Sequence, residues 1–226
     1  MSSVIFDIET LAFELSSFDE IQQTYLLKFA DTEDKREQEI QKLSLYPLTA
    51  RIIAVAMLNP DTMAGKVFFQ SDGKERFTSE DGKIEFRSGD EREILQGFWD
   101  TVSHYDQFVT FNGRSFDCPF IQIRSALLQV HPTRNLLPYR YAPKEHCDLL
   151  DQLTFYGAMR KFNLDFYCKA FGIRSPKGSG ITGLDLGNVF REKRYREIAE
   201  YCLGDVVATA ELYRRWNEFL HFEDRP

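Results

Sequence analysis

Hydrophobic and polar positions change period several times along the chain, and each change marks an element. Residues 3–8 (Ser-Val-Ile-Phe-Asp-Ile) are a short, mostly apolar run that predicts a buried strand. Phe18 to Phe29 then carries apolar positions at helical spacing, and the charged stretch Asp31 to Lys42 predicts a second, solvated helix. Residues 11–50 therefore read as a helical insertion between the first two strands. Arg51 to Leu58 (Arg-Ile-Ile-Ala-Val-Ala-Met-Leu) predicts the next buried strand, closed by the turn residues Asn59-Pro60-Asp61. Lys66 to Gln70 predicts another. Asp72-Gly73 and Asp81-Gly82 are turn dipeptides, so 66–87 is expected to form hairpins, an antiparallel three-stranded unit with 51–58.

From Asp90 the pattern becomes helical, with Ile94, Leu95, Phe98 and Val102 on one face. Phe108-Val-Thr-Phe111 predicts a strand, Asn112-Gly113 a turn, and Pro119 to Val130 a helix with proline near its first position. Helices are expected at 148–156, 163–171 and 197–219, with a flexible loop over Gly178–Gly183. Early strands, then strands alternating with helices, then helices, make an α/β protein with a mixed sheet flanked by helices. A length of 226 residues suits one domain.

Composition alters this picture little. Hydrophobic residues at 43% and charged residues at 28% are ordinary for a globular chain. No apolar run approaches the ~20 residues needed to span a bilayer. The N-terminus has no basic region before an apolar stretch, so no signal peptide is expected. Cys118, Cys147, Cys168 and Cys202 form no C-x-x-C pair, which fits reduced, buried thiols in a cytoplasmic protein. The net charge of −7 weighs against a broadly basic nucleic-acid binder. It leaves room for a site whose acidic groups are neutralised by cations.

Three places carry chemistry. In Phe6-Asp7-Ile8-Glu9-Thr10 a strand puts Asp7 and Glu9 on one face, roughly 7 Å apart, at the strand's carboxyl end. Two carboxylates so close repel unless a cation lies between them, although a lone D-x-E is also what an acidic surface edge looks like. Asn112-Gly-Arg-Ser-Phe-Asp117 leads into a Pro-led helix, where an Asp is also an ordinary helix cap. In Tyr201-Cys-Leu-Gly-Asp205 the i, i+4 spacing projects Tyr201 and Asp205 together from an otherwise apolar helix face. A carboxylate there needs a partner, which a buried ion pair also supplies.

Order and chemistry together make these signals specific. Asp7-Ile-Glu9, Asn112-x3-Phe116-Asp117 and Tyr201-x3-Asp205, in that order, resemble the DEDD exonuclease superfamily on a ribonuclease-H-like fold, and the tyrosine resembles its DEDDy branch. Leu43-Ser-Leu-x-Pro47 leading into Arg51-Ile-Ile-Ala-Val-Ala, Lys177-Gly178 through Gly183 and Val189, and Glu197-Ile-Ala-Glu-Tyr-Cys-x-x-Asp-Val-x-Ala-Thr are similar to the predicted exonucleases related to family-B DNA polymerases. The resemblance implies a 3′→5′ exonuclease with two Mg²⁺ or Mn²⁺ ions held by Asp7, Glu9, Asp117 and Asp205. It implies that Tyr201 orients the attacking water, since a phenol is a poor base at neutral pH. It implies that Thr10, Leu11, Asn112 and Phe116 contact the terminal nucleotide. Lys177 and Arg114 are candidate phosphate contacts. The implied partner is a single-stranded nucleic-acid 3′ end, DNA ahead of RNA. The alternatives are an exoribonuclease, a non-catalytic nucleic-acid-binding module, and another phosphoryl-transfer enzyme on the same fold.

Overall fold

The structure is a computed structural model that describes residues 2–175, 183 and 185–222. The strands are β1 (Ser3–Ala12), β2 (Ala50–Leu58), β3 (Gly65–Phe69), β4 (Arg76–Thr78), β5 (Ile84–Ser88), β6 (Gln107–Thr110) and β7 (His146–Asp148). The helices are α1 (Glu20–Leu26), α2 (Glu33–Lys42), α3 (Glu91–Val102), α4 (Asp117–Leu127), α5 (Leu149–Leu153), α6 (Leu164–Ala170), α7 (Leu186–Arg191) and α8 (Tyr195–Phe219). Among the described residues the strands form one sheet in the order β4-β5-β3-β2-β1-β6-β7. β1 is antiparallel to β2 and parallel to β6, and β6 is parallel to β7. This is the mixed, helix-flanked α/β sheet, of ribonuclease-H-like type, that the sequence predicts.

The alternation along β1 builds both faces of the core. Val4, Phe6 and Ile8 pack in one cluster with Ile94, Phe98 and Trp99 of α3 and Phe120 and Ile121 of α4. Ile5 belongs to the opposite cluster, with Cys202, Val206 and Leu212 of the long helix α8. Phe6, Ile5, Phe98 and Trp99 are almost wholly buried, and full burial of each such side chain contributes about 1.5–3 kcal/mol. No helix of the described residues is long and apolar enough to cross a membrane. All four cysteines are buried and unpaired.

Four elements differ from expectation. First, β1 runs on to Ala12 rather than ending near Ile8, because antiparallel pairing with the long β2 continues to Ala12↔Ala50. Second, 66–87 is not a chain of hairpins. Asp81-Gly82 does turn β4 back antiparallel onto β5, but β5 is parallel to β3 and slots between β3 and β4. That arrangement stacks Phe77 on Phe86, with ring centroids 4.7 Å apart, and puts Val67 and Phe86 in one core. Third, His146–Asp148 is a short strand, followed by a helix that starts at Leu149 and stops at Leu153. Fourth, the short helix α7 lies where no helix was expected. The Gly178–Thr182 part of the expected loop falls outside the described residues.

Between α3 and α4 lies an ion pair whose side chains are only 10% and 9% exposed, Glu91 with Arg124. Arg124 donates through Nε and Nη2 to the two Glu91 oxygens, at 2.8 and 2.6 Å, and Glu91 also accepts the Ile52 N–H at 2.8 Å. Breaking such a pair leaves an uncompensated buried charge. Arg124→Met is expected to cost about 3–5 kcal/mol, read as a shift in the urea midpoint. Adding Glu91→Gln should recover a large part of it; a single variant as stable as wild type would refute the assignment.

Candidate metal centre

Pairing of β1 with β6 stops at Ile5↔Val109, while pairing with β2 continues. Asp7 and Glu9 sit on the stretch that outruns β6. Their side chains share the face toward α8, opposite Phe6 and Ile8. A register shift falls between Glu9 and Thr10, and such bulges adjoin functional sites because they re-aim side chains. Glu9 is buried and Asp7 partly so; one carboxylate oxygen of each and the Cys202 sulfur lie within 4.8 Å of one another.

Helix α8 brings Tyr201, Cys202 and Asp205 to the same place. The Cys202 thiol donates to the Asp7 carbonyl at 3.5 Å. Burial pushes this thiol well above its usual range, with the Asp7, Glu9 and Asp205 charges adding to the effect. It stays protonated, so it joins helix to strand and is not a ligand for a hard cation. Asp117 is the first residue of α4 and is buried. Its carboxylate does not serve simply as a helix cap; it reaches β1 and accepts the Ile8 N–H at 3.1 Å.

The electrostatics bind the four acids into one group. Asp7 is held well above the usual carboxylate range by burial first, then by Asp117, Asp205 and Glu9. Glu9 is raised by burial, then by Asp205 and Asp117. Asp117 is raised to about 7 by burial, against the pull of two backbone N–H groups, with Asp148 and Asp205 adding to it. Concentrated negative charge with only oxygen donors fits a hard divalent cation such as Mg²⁺ or Mn²⁺. Burial raises the Tyr201 phenol far above its ordinary value, with Asp205, Glu9 and Asp7 adding to it, so it remains a hydrogen-bond donor.

A cleft of about 770 Å³ opens beside Glu9. Thr10 and Phe116 line it, and Gln41 and Lys42 of α2 form part of its wall. The Thr10 hydroxyl donates to the Ser44 carbonyl at 2.7 Å, tying β1 to that wall. Leu11 packs, partly buried, against the core on the α8 side. Asn112 closes the turn after β6 with φ +64°. Arg114 donates through Nη1 to the Pro138 carbonyl at 2.9 Å, which makes it a brace between loops. Lys177 lies outside the described residues.

One residue escaped the sequence reading. Asp148 accepts the Asn112 and Arg114 N–H groups at 2.9 Å each, and caps α5 by accepting Leu150 N–H at 3.0 Å. It holds the left-handed Asn112 and therefore the loop that delivers Asp117. The available signal was an Asp directly before the apolar Leu149-Leu150 run, a cap signature. Asp148→Ala is expected to cost about 1–2 kcal/mol and to weaken divalent-ion binding about 10–100-fold. Calorimetric titration checks the second effect; unchanged ion affinity would reduce Asp148 to a cap.

Comparison with known proteins gives the family and the fold. Over 131 residues, half of this chain, the sequence is 29% identical to DNA polymerase 1 of Sulfurisphaera ohwakuensis. Over 136 residues it is 29% identical to DNA polymerase 1 of Saccharolobus solfataricus. The chain covers 15% of the length of each of these polymerases. The family B DNA polymerase of Pyrobaculum calidifontis superposes with a TM-score of 0.62 over 97% of this chain and 25% of its own, at 20% identity, a likeness of fold. Residues 48–222 match the family described as predicted 3′-5′ exonuclease related to the exonuclease domain of PolB. That span carries β2 through α8, with Asp117, Tyr201 and Asp205 inside it, and the chain belongs to this exonuclease family.

Proposed function

We propose that residues 1–226 form a single 3′→5′ exonuclease domain of the DEDDy type that removes nucleotides from single-stranded DNA ends. The observation that carries this reading is the burial of Asp7, Glu9 and Asp117 together beside an open cleft, each carboxyl raised by burial and by the charge of Asp205. In this reading Asp7, Glu9, Asp117 and Asp205 would hold two Mg²⁺ or Mn²⁺ ions. The bound ions supply Lewis acidity that activates water and stabilises charge on the departing 3′ oxygen. Tyr201 stays protonated, so it orients the attacking water as a donor and does not take its proton. Thr10, Leu11, Asn112 and Phe116 contact the terminal nucleotide, with Thr10 and Phe116 on the wall of the cleft. DNA is chosen over RNA because the similar proteins are named DNA polymerases. Four buried, unpaired cysteines support a reducing, cytoplasmic setting.

The test is incubation with 5′-labelled single-stranded DNA in Mg²⁺ or Mn²⁺, with a matched RNA alongside. A ladder descending from the 3′ end, abolished by EDTA, is expected. RNA cleaved faster than DNA would transfer the reading to an exoribonuclease. No cleavage of either by folded, metal-loaded protein would leave a binding module.

A further inference from the structure

Away from the carboxylates, aromatic side chains stand in solvent on two neighbouring segments. Tyr139 and Tyr141 are 73% and 56% exposed, and Phe155 and Phe166 are 58% and 55% exposed. Hiding apolar surface is the normal fate of such rings, so a contiguous exposed group needs a reason. Within each of two groups the rings touch. Tyr141 packs between Tyr139 and Tyr156, with centroids 5.6 and 4.6 Å away. Phe162 stacks on Phe166 at 4.3 Å, and the Arg160 guanidinium lies 5.0 Å from the Phe162 ring.

Both groups are anchored to the loop that delivers Asp117. Arg114 of that loop holds the Pro138 carbonyl, next to Tyr139. Arg140, between the two tyrosines, is fixed by a two-point ion pair to Asp151 of α5. On the other side Tyr167, which touches Phe162, packs on Phe111, the residue before Asn112. The turn joining the groups is strained: Phe155, Tyr156 and Gly157 have φ of +49°, +58° and +94°. Two bulky residues in succession in the left-handed region is an outlier that surrounding structure must impose. Hydrogen bonds impose it here, from Tyr156 N–H to the Asp151 carbonyl at 2.7 Å and from Gln152 to the Tyr156 hydroxyl at 2.9 Å.

Charge selects the occupant. The chain carries −7, yet residues 155–166 hold Arg160 and Lys161 against one acid, Asp165, which is paired with Lys169. In residues 139–141 the one charged side chain, Arg140, is held by Asp151. Rigid exposed rings interleaved with cations suit bases stacked along a phosphate backbone, and stacking tolerates any base sequence. An apolar peptide would not require the cations.

We infer that the surface formed by residues 139–141 and 155–166 is a stacking platform for the single strand that leads to the 3′ end. The inference rests on the nuclease reading for its direction but not for its measurement. In an otherwise acidic protein it supplies strand affinity through rings more than through charge, so a shallow salt dependence is expected, with a slope near about −1.4 for two phosphates neutralised on a single strand.

The experiment is fluorescence anisotropy with labelled oligothymidylates from about two to about twelve nucleotides long, in EDTA so that no turnover is needed. Wild type should bind more tightly as length increases. Tyr141→Ala, Phe166→Ala and Arg160→Glu should each remove much of that gain, weakening the longest oligonucleotide about tenfold or more, with unchanged melting temperature. Affinity that the variants leave intact would overturn the platform, and so would intact affinity with altered sedimentation, which would mark these rings as a protein contact. Platform-dependent binding by a chain that cleaves nothing would keep the platform and remove the nuclease reading. Cleavage together with platform-independent binding would do the reverse.

Discussion

Asp7→Asn is expected to lower 3′→5′ hydrolysis by more than about a thousandfold while raising the melting temperature of the metal-free protein. The activity loss should exceed the 10–100-fold typical of residues that only support a metal ligand. Asp7 is singled out because its carboxyl is raised by burial and then by Asp117, Asp205 and Glu9 together, which places it at the centre of the group. Asparagine keeps the shape and removes the charge. With one of the repelling carboxylates gone, the fold relaxes; with one proposed ligand gone, a cation would be held more weakly. The opposite signs are the diagnostic. Lost activity with a lowered melting temperature would mean plain misfolding, and retained activity would remove Asp7 from the site. Asp117→Asn should lose activity as well but gain less stability, because its carboxylate also serves the Ile8 N–H.

Stability of the metal-free protein should fall as pH rises from 5 to 8, against the usual behaviour of acidic groups. Asp117 titrates near 7 in the folded chain and at the ordinary 3.8 when unfolded. Between those values the folded state holds a proton that the unfolded state has released. Unfolding free energy then decreases with pH across that window, is undiminished below about 4, and is fully reduced above 7. Asp7 and Glu9, raised in the same direction, deepen the loss. Each unit of separation is worth about 1.4 kcal/mol, so the total is a few kcal/mol. Mg²⁺ or Mn²⁺ should restore stability strongly at pH 8 and little at pH 5, where protons compete for the same oxygens. Melting curves in EDTA and in excess metal check this. A flat or rising metal-free profile would sink the claim that these carboxylates share one buried site.

The sequence by itself determined the elements with a clear period and the donors with a local spacing. Arg51 to Leu58 is apolar throughout, so its strand is legible without context. Asp7 and Glu9 share a face because a strand repeats every two residues, and Tyr201 and Asp205 because a helix nearly repeats every four. Short elements were not legible: His146–Asp148 is too brief to show a period, and neither its pairing with β6 nor the capping by Asp148 follows from its neighbours in the chain. The parallel pairing of β3 with β5 was hidden for a related reason. Turn dipeptides report where the chain bends, whereas a strand's partner is chosen by burial of side chains such as Val67 and Phe86. Residues 7, 9, 117 and 205 come together in the sequence only through the family resemblance, and only the tertiary structure decided that Asp117 reaches β1 rather than only beginning a helix, and that the exposed rings of 139–141 and 155–166 border the same loop. The physical reason is range. Local sequence sets backbone period and side-chain direction, while the meeting of residues up to two hundred positions apart depends on how the sheet orders its strands and where α8 crosses them.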